Sequence, residues 1–159
     1  MQQQHKKSRR EMRKTVIAVL YKYELLEEPI NVEEAFEEFF LDREELLRIE
    51  LIAKNYAFLR KSLNALLNKN WKWERISPLI RAIILNGAFE LYNTDPKVVI
   101  NEAVEITKFY FPKDLPDQPA TLQGKQYKFV NAILENYLKL IQTFELAEKL
   151  EKKALKDHE

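Results

Sequence analysis

The chain has 159 residues, a net charge of +1, no cysteine and two histidines. Apolar residues make up 46% of it, enough for a packed interior, while two glycines and six prolines leave too little material for the tight turns of an all-β fold. Without cysteine there is no disulfide framework or thiolate metal site; no apolar run approaches the roughly 18 residues of a membrane span; and the basic start lacks the apolar stretch of a secretory signal, so the chain reads as cytoplasmic.

Charge is unevenly spread. Lys6, Lys7, Arg9, Arg10, Arg13 and Lys14 stand against Glu11 alone, and acids then crowd residues 24–50 against Arg43 and Arg48. A basic head of this kind suits an anionic partner. The first predicted helix begins near Ser8 and ends around Glu27 and Glu28, with Met12, Val16, Val19, Leu20, Tyr23 and Leu26 in one apolar stripe. Within it Arg9 and Arg13 stand four apart, as do Arg10 and Lys14, so two basic rows lie side by side. Arginine forks match phosphate geometry and stack on bases.

A short second helix follows Asn31, a good N-cap, and carries Ala35, Phe36, Phe39 and Phe40. Asp42 caps a long third helix running to about Leu67, with one break expected near Asn55. Residues 68–77 read as a hinge, in which Trp71 and Trp73 either form a stacking platform or, the preferred reading, pin two helical halves together. Ser77-Pro78 starts a fourth helix, serine at the N-cap and proline at the first helical position. Its Gly87 costs about 1 kcal/mol relative to alanine, which a close helix crossing explains. Asp95-Pro96 repeats the pattern for a fifth helix, whose inner face holds Val99, Ala103, Ile106 and either Phe109 or Tyr110.

Residues 110–126, with three prolines, read as a long loop. The last helix starts near Gln126, follows the stripe Val130, Ile133, Leu134, Tyr137, Leu138, Ile141 and Phe144, and is expected to turn polar and fray from Leu146. Its start, residues 124–129 (GKQYKF), is a second candidate anion site. Helix N-termini attract phosphate, lysines add charge, and an exposed ring can stack on an unpaired base. Enzyme signatures are missing: no glycine-rich phosphate loop or nucleophile elbow occurs, and His5 and His158 lie at the ends. No catalytic residue, metal site or cofactor is expected. The paired acids Glu33, Glu34, Glu37 and Glu38 read as a solvated helix face.

Three stretches in order resemble the NusB family. Residues 9–25 (RREMRKTVIAVLYKYEL) are similar to its basic start and A-L-Y-x-x-E-like helix, and residues 76–91 (ISPLIRAIILNGAFEL) to its S-P-x-x-R-A-I-L-x-x-A-x-Y-E-L segment. Residues 96–106 (PKVVINEAVEI) followed by 128–134 (KFVNAIL) are similar to P-x-x-V-x-I-N-E-A-V-E-L and K-F-V-N-G-V-L. The resemblance implies an all-α, compact bundle of two small helical subdomains. On it, residues 1–7 form a disordered basic tail, 8–145 the helical domain (halves 8–69 and 76–145), and 146–159 a polar helix end or tail.

The resemblance further implies a transcription antitermination factor for ribosomal-RNA transcription. Its partners would be single-stranded boxA-like RNA, the ribosomal protein NusE and the RNA polymerase antitermination complex. Carried over by position, the family's RNA contacts fall on Arg9, Arg10, Arg13, Lys128 and Phe129; Lys14 and Lys125 extend them as further cations. The surface facing NusE falls on Tyr21 and the start of the fourth helix, Ile80 and Arg81. This chain departs from the family at Ile80, where an acid is frequent, at Leu85, where a basic residue is common, and in its longer loop before K-F-V-N. Those departures motivate an alternative: a protein–protein module, homodimeric or not, that keeps the fold, lacks specific RNA binding, and presents an apolar patch around Ile80. NusB-like domains also precede the catalytic domain of some ribosomal-RNA cytosine methyltransferases, but no glycine-rich cofactor loop occurs here.

Overall fold

Ser8 sets the start of the first helix. Its hydroxyl accepts the Glu11 N–H at 3.1 Å while the Glu11 carboxylate accepts the Ser8 N–H at 3.0 Å, a reciprocal cap. In the computed structural model, which describes residues 6–112 and 124–157, α1 spans Arg9–Leu26 and ends on Glu27 in the left-handed conformation. Asn31 caps α2 (Val32–Phe39), and Asp42 and Glu45 form a second reciprocal cap on α3 (Arg43–Ala65). The break expected near Asn55 does not occur. The Asn55 amide donates to the Leu51 carbonyl one turn back, at 2.8 Å, so the side chain is satisfied inside a continuous helix.

The hinge residues form one 3-10 turn, Trp73–Arg75, before α4 (Pro78–Glu90). Pro78 takes the first helical position as expected, but the Ser77 hydroxyl makes no capping bond; its carbonyl accepts the Arg81 N–H at 2.9 Å. Residues from Ile80 to Ala88 are buried on every side, as befits a helix enclosed by others. α1, α3, α5 (Pro96–Tyr110) and α6 (Lys125–Asp157) all pack on α4, and α2 closes the outer edge of α1 and α3. One buried cluster runs through both halves, from Val16 and Leu20 through Ile49 and Leu63 to Ile83, Ile106, Leu134 and Tyr137. Full burial of each such side chain is worth about 1.5–3 kcal/mol.

Gly87 marks the α4–α6 crossing. A Cβ there would stand 2.9 Å and 3.0 Å from the two methyl groups of Leu134, which is the close approach its place in the sequence implied. Several stripe residues lie outside the core. Leu26 occupies the last turn of α1, and Phe40 sits at the left-handed end of α2, where the chain leaves the helix face; both are exposed, as are Phe36 and Phe144. α5 buries Val99, Ala103, Ile106 and Thr107, so of the two aromatic candidates Tyr110 packs inward while Phe109 is 63% exposed. Most of the loop expected over 110–126 lies outside the described residues. α6 does not fray at Leu146; it continues to Asp157, exposed from Gln142 onward. Alanine, glutamate, lysine and leucine favour helix, and Glu148 pairs with Lys152 one turn on at 3.4 Å.

Candidate nucleic-acid interface

The basic head is folded against acids from other helices. Lys7 Nζ lies 3.1 Å from Glu45, and Arg9 Nη1 2.6 Å from Glu44. Arg10 makes a two-pronged pair with Glu102 of α5, with both contacts at 2.9 Å. That pair holds Glu102 below the ordinary carboxylate range, chiefly through the hydrogen bond from Arg10, and holds Arg10 firmly protonated. Lys14 stands 3.6 Å above the ring of the exposed Phe109.

Arg13 departs from the surface role expected of it. It is 6% exposed, and its Nε donates to Glu90 at 2.9 Å. Arg48 Nη1 approaches the other oxygen of Glu90 at 2.9 Å, and the Asn86 amide donates to the same carboxylate at 3.0 Å. Two guanidinium groups on one buried carboxylate tie α1, α3 and α4 together. A phosphate reaches Arg13 only by opening that junction, so the Arg9/Arg13 row is split and the outward row is Arg10/Lys14.

The start of α6 is built differently. Gly124 precedes it at φ 77°, a left-handed conformation that favours glycine, and a Cβ there would meet the Tyr127 ring at 2.8 Å. Lys125 and Lys128 are exposed, and neither is ion-paired with another described residue. Phe129 is half-buried, its outer part stacked near-parallel on Trp71 with centroids 6.3 Å apart and planes 26° apart. On the other side of the helix tip, Lys108 Nζ stands 4.9 Å above the Tyr127 ring. Phe109, next in sequence to Lys108, carries Lys14 and packs edge-on against Tyr110 at 5.2 Å. Cations and rings thus alternate from Lys14 on α1, across the end of α5, round the tip of α6 to Trp71.

The sequence paired Trp71 and Trp73 as one pin. Only Trp73 has that role, at 3% exposed, while Trp71 is 54% exposed. Phe109 and Lys108 were not singled out for the surface, and Tyr127 only as part of the segment 124–129. For Phe109 the signal was present: the steps 99, 103, 106, 110 put it off the buried face.

The expected protein-partner surface also divides. Tyr21 is exposed, with Leu25 exposed one turn on. Ile80 is 4% exposed, so the apolar patch of the alternative reading is core, as is Leu85. Arg81 is buried too. Its Nη1 and Nη2 donate to the carbonyls of Trp73 and Glu24, at 3.3 and 3.1 Å, and its Nε lies 2.9 Å from the Glu24 carboxylate in a contact that is ionic rather than a well-aligned hydrogen bond. The Tyr56 hydroxyl also donates to Glu24, and burial together with that bond pushes Tyr56 well above the ordinary phenol range. Arg81 therefore fastens the hinge and the end of α1 to α4. Among the described residues, no group of three or more His, Asp or Glu side chains is placed to hold a metal ion, and no helix is long and apolar enough to cross a membrane.

The NusB family model matches residues 10–139. The chain is 30% identical over 142 residues to the transcription antitermination protein NusB of Methylacidiphilum infernorum, covering 83% of this chain and 91% of that protein. It is 29% identical over 137 residues to the protein of the same name from Staphylococcus epidermidis, covering 81% and 97%. Against that of Nitratiruptor it is 29% identical over 135 residues, covering 80% and 89%. No solved structure gives a significant match. With a family match across every helix but the tail of α6, and relatives aligned over nearly their full length, this all-α chain belongs to the NusB family.

Proposed function

We propose that this chain is a transcription antitermination factor that binds single-stranded boxA-like RNA together with the ribosomal protein NusE, within the RNA polymerase complex that transcribes ribosomal RNA. The reading is of a binding protein, not an enzyme. One observation carries it: Lys125 and Lys128 stand unpaired among the described residues beside the half-buried Phe129, and Arg10 and Lys14 lie along α5, whose end meets the same tip of α6. Unpaired cations next to a ring supply phosphate attraction and base stacking in one place.

Lys125, Lys128, Lys14, Arg9 and Arg10 are the phosphate contacts, and Phe129 the base contact. Arg9 and Arg10 exchange Glu44 and Glu102 for phosphate on binding. Arg13 acts through the buried junction. Tyr21, with Leu25 beside it, offers the surface for the protein partner; Ile80 and Arg81 support it from inside. The first test is fluorescence anisotropy on a labelled boxA-like RNA across a salt series, with and without purified NusE. The expected result is salt-sensitive binding that NusE strengthens, with Arg10→Ala lowering the salt slope by about 1. Binding no better than to a scrambled RNA, even with NusE, would overturn the reading.

A further inference from the structure

We infer that Trp71 is a second RNA-stacking residue: with Phe129 it forms a two-ring step beside a recess that takes one unpaired nucleobase. The inference rests on the RNA-binding reading above and adds a site to it. The hinge contains two tryptophans with different fates. Trp73 is buried and joins the halves, whereas Trp71 leaves 54% of its surface in solvent although it touches Phe129. An indole serving only to pack would be covered; this one covers part of Phe129 and remains open itself. In a near-parallel pair, one face of each ring is turned away from the other, and an outer aromatic face is what an unstacked base seeks.

Next to the pair lies a recess of about 270 Å³ between the end of α3 and α6. Leu66, Leu67 and Ile133 give it apolar walls, and the amides of Asn68 and Asn136 line it as hydrogen-bond donors and acceptors. Apolar walls with a few polar groups suit a flat heterocycle whose edge must still be satisfied. Charge selects the occupant. Lys69 and Lys72 flank Trp71 in sequence, and Lys125 and Lys128 precede Phe129 on α6. All four are exposed, and none is ion-paired with another described residue. Glu74, the nearest acid in the hinge, is engaged by Arg60 at 3.2 Å. Exposed cations next to each of the two rings, on the hinge and on α6, suit the phosphates that accompany a single base. The positive charge gives an apolar peptide no comparable advantage.

The test uses the full chain and a single-stranded boxA-like RNA. Anisotropy of the labelled RNA is followed across a salt series, and tryptophan emission is titrated with the unlabelled RNA. The expected outcome is quenching in the unaltered protein and its loss in Trp71→Ala, since the remaining indole, Trp73, is buried. Affinity should fall about 5- to 150-fold in Trp71→Ala, the range expected for one stacked base. The salt slope should stay unchanged, because no charge has been removed, and Trp71→Phe should recover most of the loss. The phenylalanine variant also carries the test if the alanine variant melts early. RNA binding with unchanged affinity and quenching in Trp71→Ala overturns the stacking step and leaves the RNA reading standing. A loss in Trp71→Ala that comes with a smaller salt slope also overturns it, since the effect would then come from displaced lysines. Failure of the unaltered protein to bind the RNA overturns both.

Discussion

Glu90 receives more positive charge than it can neutralise. Arg13 and Arg48 both approach its carboxylate at 2.9 Å, and all three groups are withdrawn from water. Removing the acid leaves two guanidinium groups facing each other with no counterion. Glu90→Ala is therefore expected to cost about 3–5 kcal/mol of folding stability, read by urea unfolding; a loss below about 1 kcal/mol would show that the arginines find solvent instead. The Arg10–Glu102 pair is of the opposite kind, half-open and adjustable. Glu102 has a depressed pKa, so its contribution to stability is present above the ordinary value of 4.5 and is lost as pH falls through the lower folded-state value. The acid limb of the stability curve, as pH falls below the ordinary carboxylate range, should therefore be shallower in Glu102→Gln than in the unaltered protein. The same variant frees Arg10, so at neutral pH it should bind boxA-like RNA more tightly. Equal affinity would mean that Arg10 meets no phosphate.

Among the helices, α4 is the central element, and its one glycine is where α6 comes closest. Gly87→Ala gains about 1 kcal/mol of helix propensity. It also drives a methyl group to within 2.9 Å of Leu134, which is fully buried. Overpacking of that sort costs about 1–3 kcal/mol, so a net loss of about 1 kcal/mol is expected by thermal unfolding. A stabilised variant would show that Leu134 can swing away freely. Helix starts were the most legible features of the chain. Ser8, Asn31, Asp42 and Asp95 each accept a backbone N–H at the start of a helix, because capping is chemistry among residues a few positions apart. Two readings failed at this scale for the same reason. Asn55 and the segment after Leu146 were judged by composition, while hydrogen bonds and ion pairs along the helix kept both regular.

Across the whole molecule, the two helical halves on either side of the hinge share one core. α1 from the first half lies along α4 from the second, and Arg81 and Trp73 fasten the hinge between them. A single cooperative transition is expected, with loss of helix by circular dichroism coinciding with the change in Trp73 emission. Two separate transitions would mean that each half holds its own structure. The interface proposed for RNA is also a property of this scale. It draws on α1, the hinge, the end of α5 and the tip of α6, which come together only through the packing of the helices.

The amino-acid sequence by itself determined the all-α class, the helix starts, the close crossing at Gly87 and the family resemblance, since these follow from spacing and local chemistry. It also placed Lys125, Lys128 and Phe129 together, because they are neighbours on one helix start. Only the tertiary structure decided which charges are available. Arg13 and Arg10 differ by three positions, yet Glu90 buries one and Glu102 holds the other at the surface. It also separated Trp71 from Trp73, drew Ile80 and Arg81 inside and left Phe109 outside. Periodicity shows that a helix has an inner face, but how far burial extends around it depends on the neighbouring helices, and those neighbours are distant in the chain.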